Sequence, residues 1–215
     1  GFVPEVAGPE RLSAVSLPAY RCVAIPGTES PSLTAAQASA LAAYVDGGGG
    51  LVHTAPLTLS SGPAAGILPI EPAVGKVESA RWRFFYGPGG FPQEGGIADV
   101  APERVHLKRA AAHPLSDDLA LYPDCPQSIA RLETVQPRED AQVLLAFTRE
   151  DAPALILGRH GRGRVAVFAA PVAWGEPAAW VIWGRMAEYH RKLFAEMALW
   201  AAGLVPDAPN RQPDR

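Results

Sequence analysis

Residues 20–56 constrain the fold more than any other part of the chain. Tyr20-Arg-Cys-Val-Ala-Ile-Pro-Gly27 is an apolar run closed by Pro-Gly, and Gly47-Gly-Gly-Gly50 leads into a second run, Leu51-Val-His-Thr-Ala-Pro56. Between them Ala38, Leu41, Ala42 and Val45 recur at helical spacing. Thr34 stands where an N-cap belongs, and Gln37, three residues on, completes a capping box. The glycines after Asp46 supply the left-handed conformation that ends a helix. The pattern predicts strand, helix, strand: a right-handed crossover whose two strands are parallel neighbours. In such sheets ligands gather at the carboxyl ends of the strands. That places Thr28 and Glu29 after the first strand, and His53 and Thr54 at the end of the second, in a candidate ligand site.

Composition narrows the function classes. A chain of 215 residues, 48% hydrophobic and 19% charged, is long enough to bury a sizeable core as one domain. No apolar run approaches the ~18 residues that a membrane span needs. A net charge of −3 argues against nucleic-acid binding, because neutralising phosphates takes a basic face. Two cysteines define no disulfide framework: Cys22 falls inside a buried strand, and Cys125 sits in the proline-rich loop Tyr122-Pro-Asp-Cys-Pro126. No metal or cofactor motif is present, and a cytoplasmic location is the default expectation.

Three segments carry a family resemblance: Tyr20 to Gly27; Tyr44-Val-Asp-Gly-Gly-Gly-Gly-Leu-Val52; and Pro153-Ala-Leu-Ile156 through Gly161-Arg-Gly-Arg-Val165. The closing helix, Lys192-Leu-Phe-Ala-Glu-Met-Ala-Leu-Trp-Ala-Ala-Gly203, adds a fourth. Together they resemble the class I glutamine amidotransferase-like superfamily, in the branch of the ThuA-like proteins and the β-galactosidase trimerisation domain. The resemblance covers about half of the chain and implies an α/β, three-layer, flavodoxin-like fold. The expectation is a mostly parallel sheet with helices on both faces and an additional β-rich C-terminal hairpin. It divides the chain into an amidotransferase-like domain over 1–204 and a disordered tail over 205–215. In the superfamily a first strand and helix precede the Tyr20 unit; here Gly1 to Val6 reads as the end of that helix, so both are expected to be missing. Either the chain is a fragment, or its gene begins late, or another segment fills the slot.

The resemblance breaks at the catalytic elbow. The family's nucleophilic cysteine falls on or near Ala55, which has no nucleophile. Thr54 offers a hydroxyl, but nothing of the Gly-x-Ser-x-Gly type surrounds it. No late His-x-Glu pair follows, and Ala170-Pro171-Val172 stand where the ThuA-like branch carries Gly-His.

Other candidates are scattered. His113, before Pro114 and close to Asp117 and Asp118, is either a helix N-cap or a member of the ligand site and, with Glu29 and Thr54, a catalytic candidate. His53 is either a ligand-end histidine or a hydrogen-bonded one covered by a helix. His160, in Gly158-Arg-His-Gly-Arg-Gly-Arg164, joins two strands, so a hairpin with a basic tip accounts for it better than a phosphate loop. Trp174, Trp180 and Trp183 form a sugar platform, a subunit interface or core packing, with Trp174 flanking the ligand site. Strands are also expected over 74–86, 104–108, 129–136 and 142–148, and a last helix over 185–202 packs Met186, Tyr189, Leu193, Met197 and Trp200 inward.

The reading of the sequence is a noncatalytic binding or assembly module linked to carbohydrate metabolism. Its partners would be a small-molecule or carbohydrate ligand, a homo-oligomer or a larger protein context. The alternative is a hydrolase or isomerase acting on a sugar-like molecule.

Overall fold

The structure, a computed structural model, describes residues 3–27, 33–71, 106–117, 119, 121, 134–148, 150–171 and 185–207. Among these residues six strands form one sheet: β1 (Cys22–Ile25), β2 (Gly50–Ala55), β3 (Leu107–Arg109), β4 (Gln142–Phe147), β5 (Pro153–His160) and β6 (Gly163–Pro171). Their spatial order is β1-β2-β6-β5-β4-β3. Helices α1 (Ala35–Asp46), α2 (Pro114–Asp117) and α3 (Arg185–Ala201) complete the described elements, with short 3-10 turns at Pro9–Arg11, Leu17–Ala19, Thr58–Ser61 and Ala65–Ile67.

The β1-α1-β2 unit forms as its residues dictate. Thr34 Oγ1 accepts the Gln37 N–H at 3.2 Å while Gln37 Oε1 accepts the Thr34 N–H at 2.9 Å, a reciprocal capping box. At the other end the Gly49 N–H reaches Tyr44 O and the Gly48 N–H reaches Val45 O, both at 2.9 Å. This is a Schellman closure, and its left-handed residue is Gly48, at φ +110°. Ala38, Leu41 and Val45 are the buried residues of α1. The crossover sets β1 parallel to β2, Cys22 opposite Gly50 and Ile25 opposite His53.

The expectation of a mostly parallel sheet is corrected. Among the described strands only β1 with β2 and β2 with β6 are parallel, whereas β6–β5, β5–β4 and β4–β3 are antiparallel. Connection length is the cause for β6–β5 and β5–β4. His160 pairs with Gly163 across a two-residue turn, and β4 returns into β5 after a short turn in which Glu150 and Asp151 both have positive φ. Links this short cannot make a crossover, so the strands must reverse. The hairpin is also no addition, since β6 is a central strand inserted beside β2. The expected cover of helices on both faces is narrowed to one part of the sheet. The main sheet contacts of α1 are with β6 and those of α3 are with β1, β2 and β6, so the long described helices serve the parallel half.

The core follows this arrangement. All six residues of β2 are buried, as are Val165 to Ala170 of β6 and Ala154 to Leu157 of β5. Leu193, Met197 and Trp200 of α3 face it as the spacing predicts. The strand expected over 104–108 is β3, shifted toward Arg109. Residues 134–136 join no ladder; Pro137 makes only an isolated bridge to Ile70. The strand expected over 74–86 lies outside the described residues. Asp207, in the tail expected to be disordered, is pinned by hydrogen bonds described below.

Candidate functional site

The carboxyl ends of β1 and β2 meet as the crossover requires, and there the polar side chains are engaged inside the fold. His53 is fully buried, with Nδ1 2.8 Å from Ile25 O and Nε2 3.4 Å from Leu59 N. A carbonyl only accepts and an N–H only donates, so the neutral Nδ1–H tautomer is the one that satisfies both. Burial lowers the His53 pKa to about 4, against the smaller opposing pull of the Ile25 carbonyl. Thr54 Oγ1 accepts the Gly27 N–H at 3.3 Å. Gly27 itself has no room for a side chain: a Cβ there would collide with the backbone of Ala55 and Pro56. Ala55 is fully buried and carries no reactive group. What the site can do chemically is limited accordingly. His53 has no lone pair to offer a substrate, and the Thr54 hydroxyl is already an acceptor within the strand pair.

Thr28, Glu29, Trp174, Trp180, Trp183, Cys125 and Asp118 lie outside the described residues. His53 and Thr54 are brought together; His113 is not brought to them. Its ring lies 6.3 Å from that of Trp200, edge to face. The Trp200 carbonyl accepts from Arg164, which pairs with Gly50 at the start of β2. Thr54 is four residues further along that strand, roughly 13 Å away. His113 therefore stands at the amino edge of the parallel strands, where it caps α2. Its Nδ1 accepts the Leu115 N–H at 3.0 Å, and its carbonyl accepts from Ser116 N and Oγ. Burial lowers its pKa, with Arg164 adding to this and Asp207 and Asp117 opposing it.

The arginines of the β5–β6 hairpin have a role that sequence reading missed. Arg162 donates to Gly47 O at 2.9 Å, and its backbone N–H to Asp46 O at 3.0 Å, at the C-terminus of α1. Arg164 donates to Trp200 O at 3.0 Å and Val205 O at 2.7 Å at the C-terminus of α3, with its guanidinium 5.4 Å from the Trp200 ring centroid. Arg159 and Arg164 both pair with Asp207, and Trp200 Nε1 donates to its other oxygen at 3.0 Å. Burial would raise the Asp207 pKa, but these partners hold it below the usual value. One hairpin thus closes two helices, placing cations at the negative ends of their dipoles. The signal was the Arg-x-Gly-x-Gly-Arg pattern itself. Gly161 and Gly163 let the tip approach α1, since a Cβ at either would strike Asp46 or Val45. Arg164→Ala is expected to cost about 1.5–2 kcal/mol in urea unfolding, the scale for losing hydrogen bonds to a charged donor. Arg164→Lys should recover less than half, because an ammonium cannot reproduce the fork.

A roomy cavity lies elsewhere. It is a groove of about 900 Å³ along the outer side of β1, floored by Cys22 to Pro26 and walled by the segment from Val3 to Leu12 and by Ala198 to Leu204. Its lining is mainly aliphatic, and burial pushes the Cys22 thiol up to about 12. Among the described residues no group of three or more metal-ligating side chains is found, and no helix is long and apolar enough to cross a membrane.

No family model and no curated protein matches the chain. Solved structures do. The cytoplasmic protein STM3548 from Salmonella typhimurium is 17% identical, with 88% of this chain and 74% of that one covered at a TM-score of 0.59. The cytoplasmic protein STM1381 from Salmonella typhimurium LT2 is 18% identical, with 90% and 74% covered at 0.57. A protein from Bacteroides uniformis ATCC 8492 described as ThuA-like is 13% identical, with 91% and 75% covered at 0.49. At such identities the two Salmonella structures show a shared α/β fold.

Proposed function

We propose that the chain is a noncatalytic binding or assembly module of the glutamine amidotransferase-like type, linked to carbohydrate metabolism. One observation carries the reading. The described polar groups at the strand carboxyl ends, His53 and Thr54, are engaged within the fold, and Ala55 replaces a nucleophile. A catalytic cleft needs convergent polar groups free to meet a substrate. The roomy surface here is instead an aliphatic groove beside a sheet edge. The link to carbohydrate metabolism rests on the sequence resemblance to the ThuA-like and β-galactosidase trimerisation branch. The two Salmonella proteins are named cytoplasmic, which supports the same setting for this chain.

The test is turnover. Glutamate release from glutamine and nitrophenol release from aryl glycosides are expected to match those of a Thr54→Val variant at every pH between 5 and 9. Turnover by the native chain that Thr54→Val or His113→Gln abolishes would overturn the proposal.

A further inference from the structure

His113 holds α2 through a hydrogen bond that only its neutral ring can make. Its Nδ1 accepts the Leu115 N–H at 3.0 Å, so Nδ1 carries no proton and the ring is the Nε2–H tautomer. The position is that of an N-cap: Pro114 follows as the first helical residue, where no N–H is needed, and Leu115 is the second. Asparagine, aspartate and serine, the usual caps, do not titrate between pH 5 and 8. Histidine does.

The element it caps depends on that bond. A single turn, Pro114–Asp117, cannot sustain itself without its caps and its packing. At its far end Arg109 donates to Ser116 O at 2.7 Å. The turn nevertheless covers core: Leu115 and Ser116 are buried, His113 is 2% exposed, and its ring stands edge to face against Trp200 of α3.

Protonation would set a donor against a donor, because an Nδ1–H cannot accept from Leu115, and it would bury a charge. The charged groups facing the ring among the described residues are Asp207 on the C-terminal segment and Asp117 on α2, which favour the imidazolium, and Arg164 on β6, which opposes it. Burial outweighs the two carboxylates and lowers the pKa. Asp207 is already engaged by Arg159, Arg164 and the Trp200 indole. A ring released into water regains its ordinary 6.5. Opening therefore takes up a proton, and below pH 6.5 its equilibrium constant grows by up to about tenfold per unit of pH until the folded pKa is passed.

We propose that His113 is an acid-released latch: its protonation frees the turn at α2 from α3 while the sheet stays folded, uncovering Leu115 and the side of Trp200 that His113 covers. The latch stands at the amino edge of the parallel strands and does not depend on the function proposed above.

Amide hydrogen exchange on the full ¹⁵N-labelled chain, expressed as protection over the intrinsic rate, tests it between pH 7.5 and 5. Protection of the Leu115 amide is expected to lie below that of Leu51 and Val52 in β2 at every pH, the mark of local opening, and to fall at least about threefold between pH 7 and 5.5. His113→Asn, a cap that does not titrate, should keep the turn and flatten that fall. Ring spectra of the native chain should show the Nε2–H tautomer at pH 7.5. Leu115 protection equal to that of Leu51 and Val52, an equal fall in His113→Asn, or a His113 proton on Nδ1 at neutral pH overturns the proposal.

Discussion

Phe168→Ala is expected to lower the stability of the fold by about 3–5 kcal/mol, the scale of emptying a large aromatic site in a packed core. Phe168 is fully buried in β6, the strand that joins the parallel and antiparallel halves. It pairs with Thr54 of β2 on one side and Leu155 of β5 on the other. Its ring meets that of Phe194 on α3 edge to face, 6.0 Å between centroids and 89° between planes. One substitution therefore loosens both halves of the sheet and the final helix. Urea unfolding followed by circular dichroism measures it, with Phe168→Leu expected to recover more than half of the loss. A cost below about 1 kcal/mol would mean that β6 is not the centre of the core.

Acidification is expected to produce the second large effect. The folded pKa of His53 lies at about 4, below the ordinary 6.5. The unfolded chain thus binds the proton first, and in that window stability rises with pH. The contribution is fully present above pH 6.5, declines as pH falls below it, and is lost by about pH 4. A shift of that size is worth up to about 3 kcal/mol. His113, also lowered by burial, acts in the same direction. Urea midpoints measured from pH 7.5 to 4 should fall accordingly. His53→Gln, whose amide can still donate and accept, should flatten the slope while costing stability at pH 7. An unchanged slope in that variant would remove His53 from the account.

Local chemistry made the first half of this fold legible. Thr34 and Gln37 announced the helix start, the glycine run its end, and the crossover followed from a helix between two apolar strands. The direction of the later strands was harder to read because it depends on turns. The β5–β6 turn advertised itself through Gly161 at φ +55°, but the turn before β5 places Glu150 and Asp151 at positive φ without a glycine. An aspartate tolerates that conformation; a glutamate gives no hint of it. Lys108 pairs with Asp151 across this turn, a contact between residues far apart in sequence. The candidate site was legible only as a place. Residue spacing located His53 and Thr54 at one strand end, yet the partners that engage them, Leu59 and Gly27, come from turns whose course only the folded backbone reveals. His113 was drawn toward the same site by its chemistry, whereas β3 running antiparallel to β4 delivers it to the opposite edge.

The central claim is that the strand-end histidine is a structural member of the fold and not an acid or base awaiting a substrate. Two-bond proton–nitrogen correlation spectra of the ¹⁵N-labelled chain, assigned with His53→Gln, test it most directly. The neutral Nδ1–H tautomer is expected throughout pH 5–8, with titration only as the pH approaches about 4. A His53 signal that titrates near its ordinary 6.5, or one carrying its proton on Nε2, would contradict it.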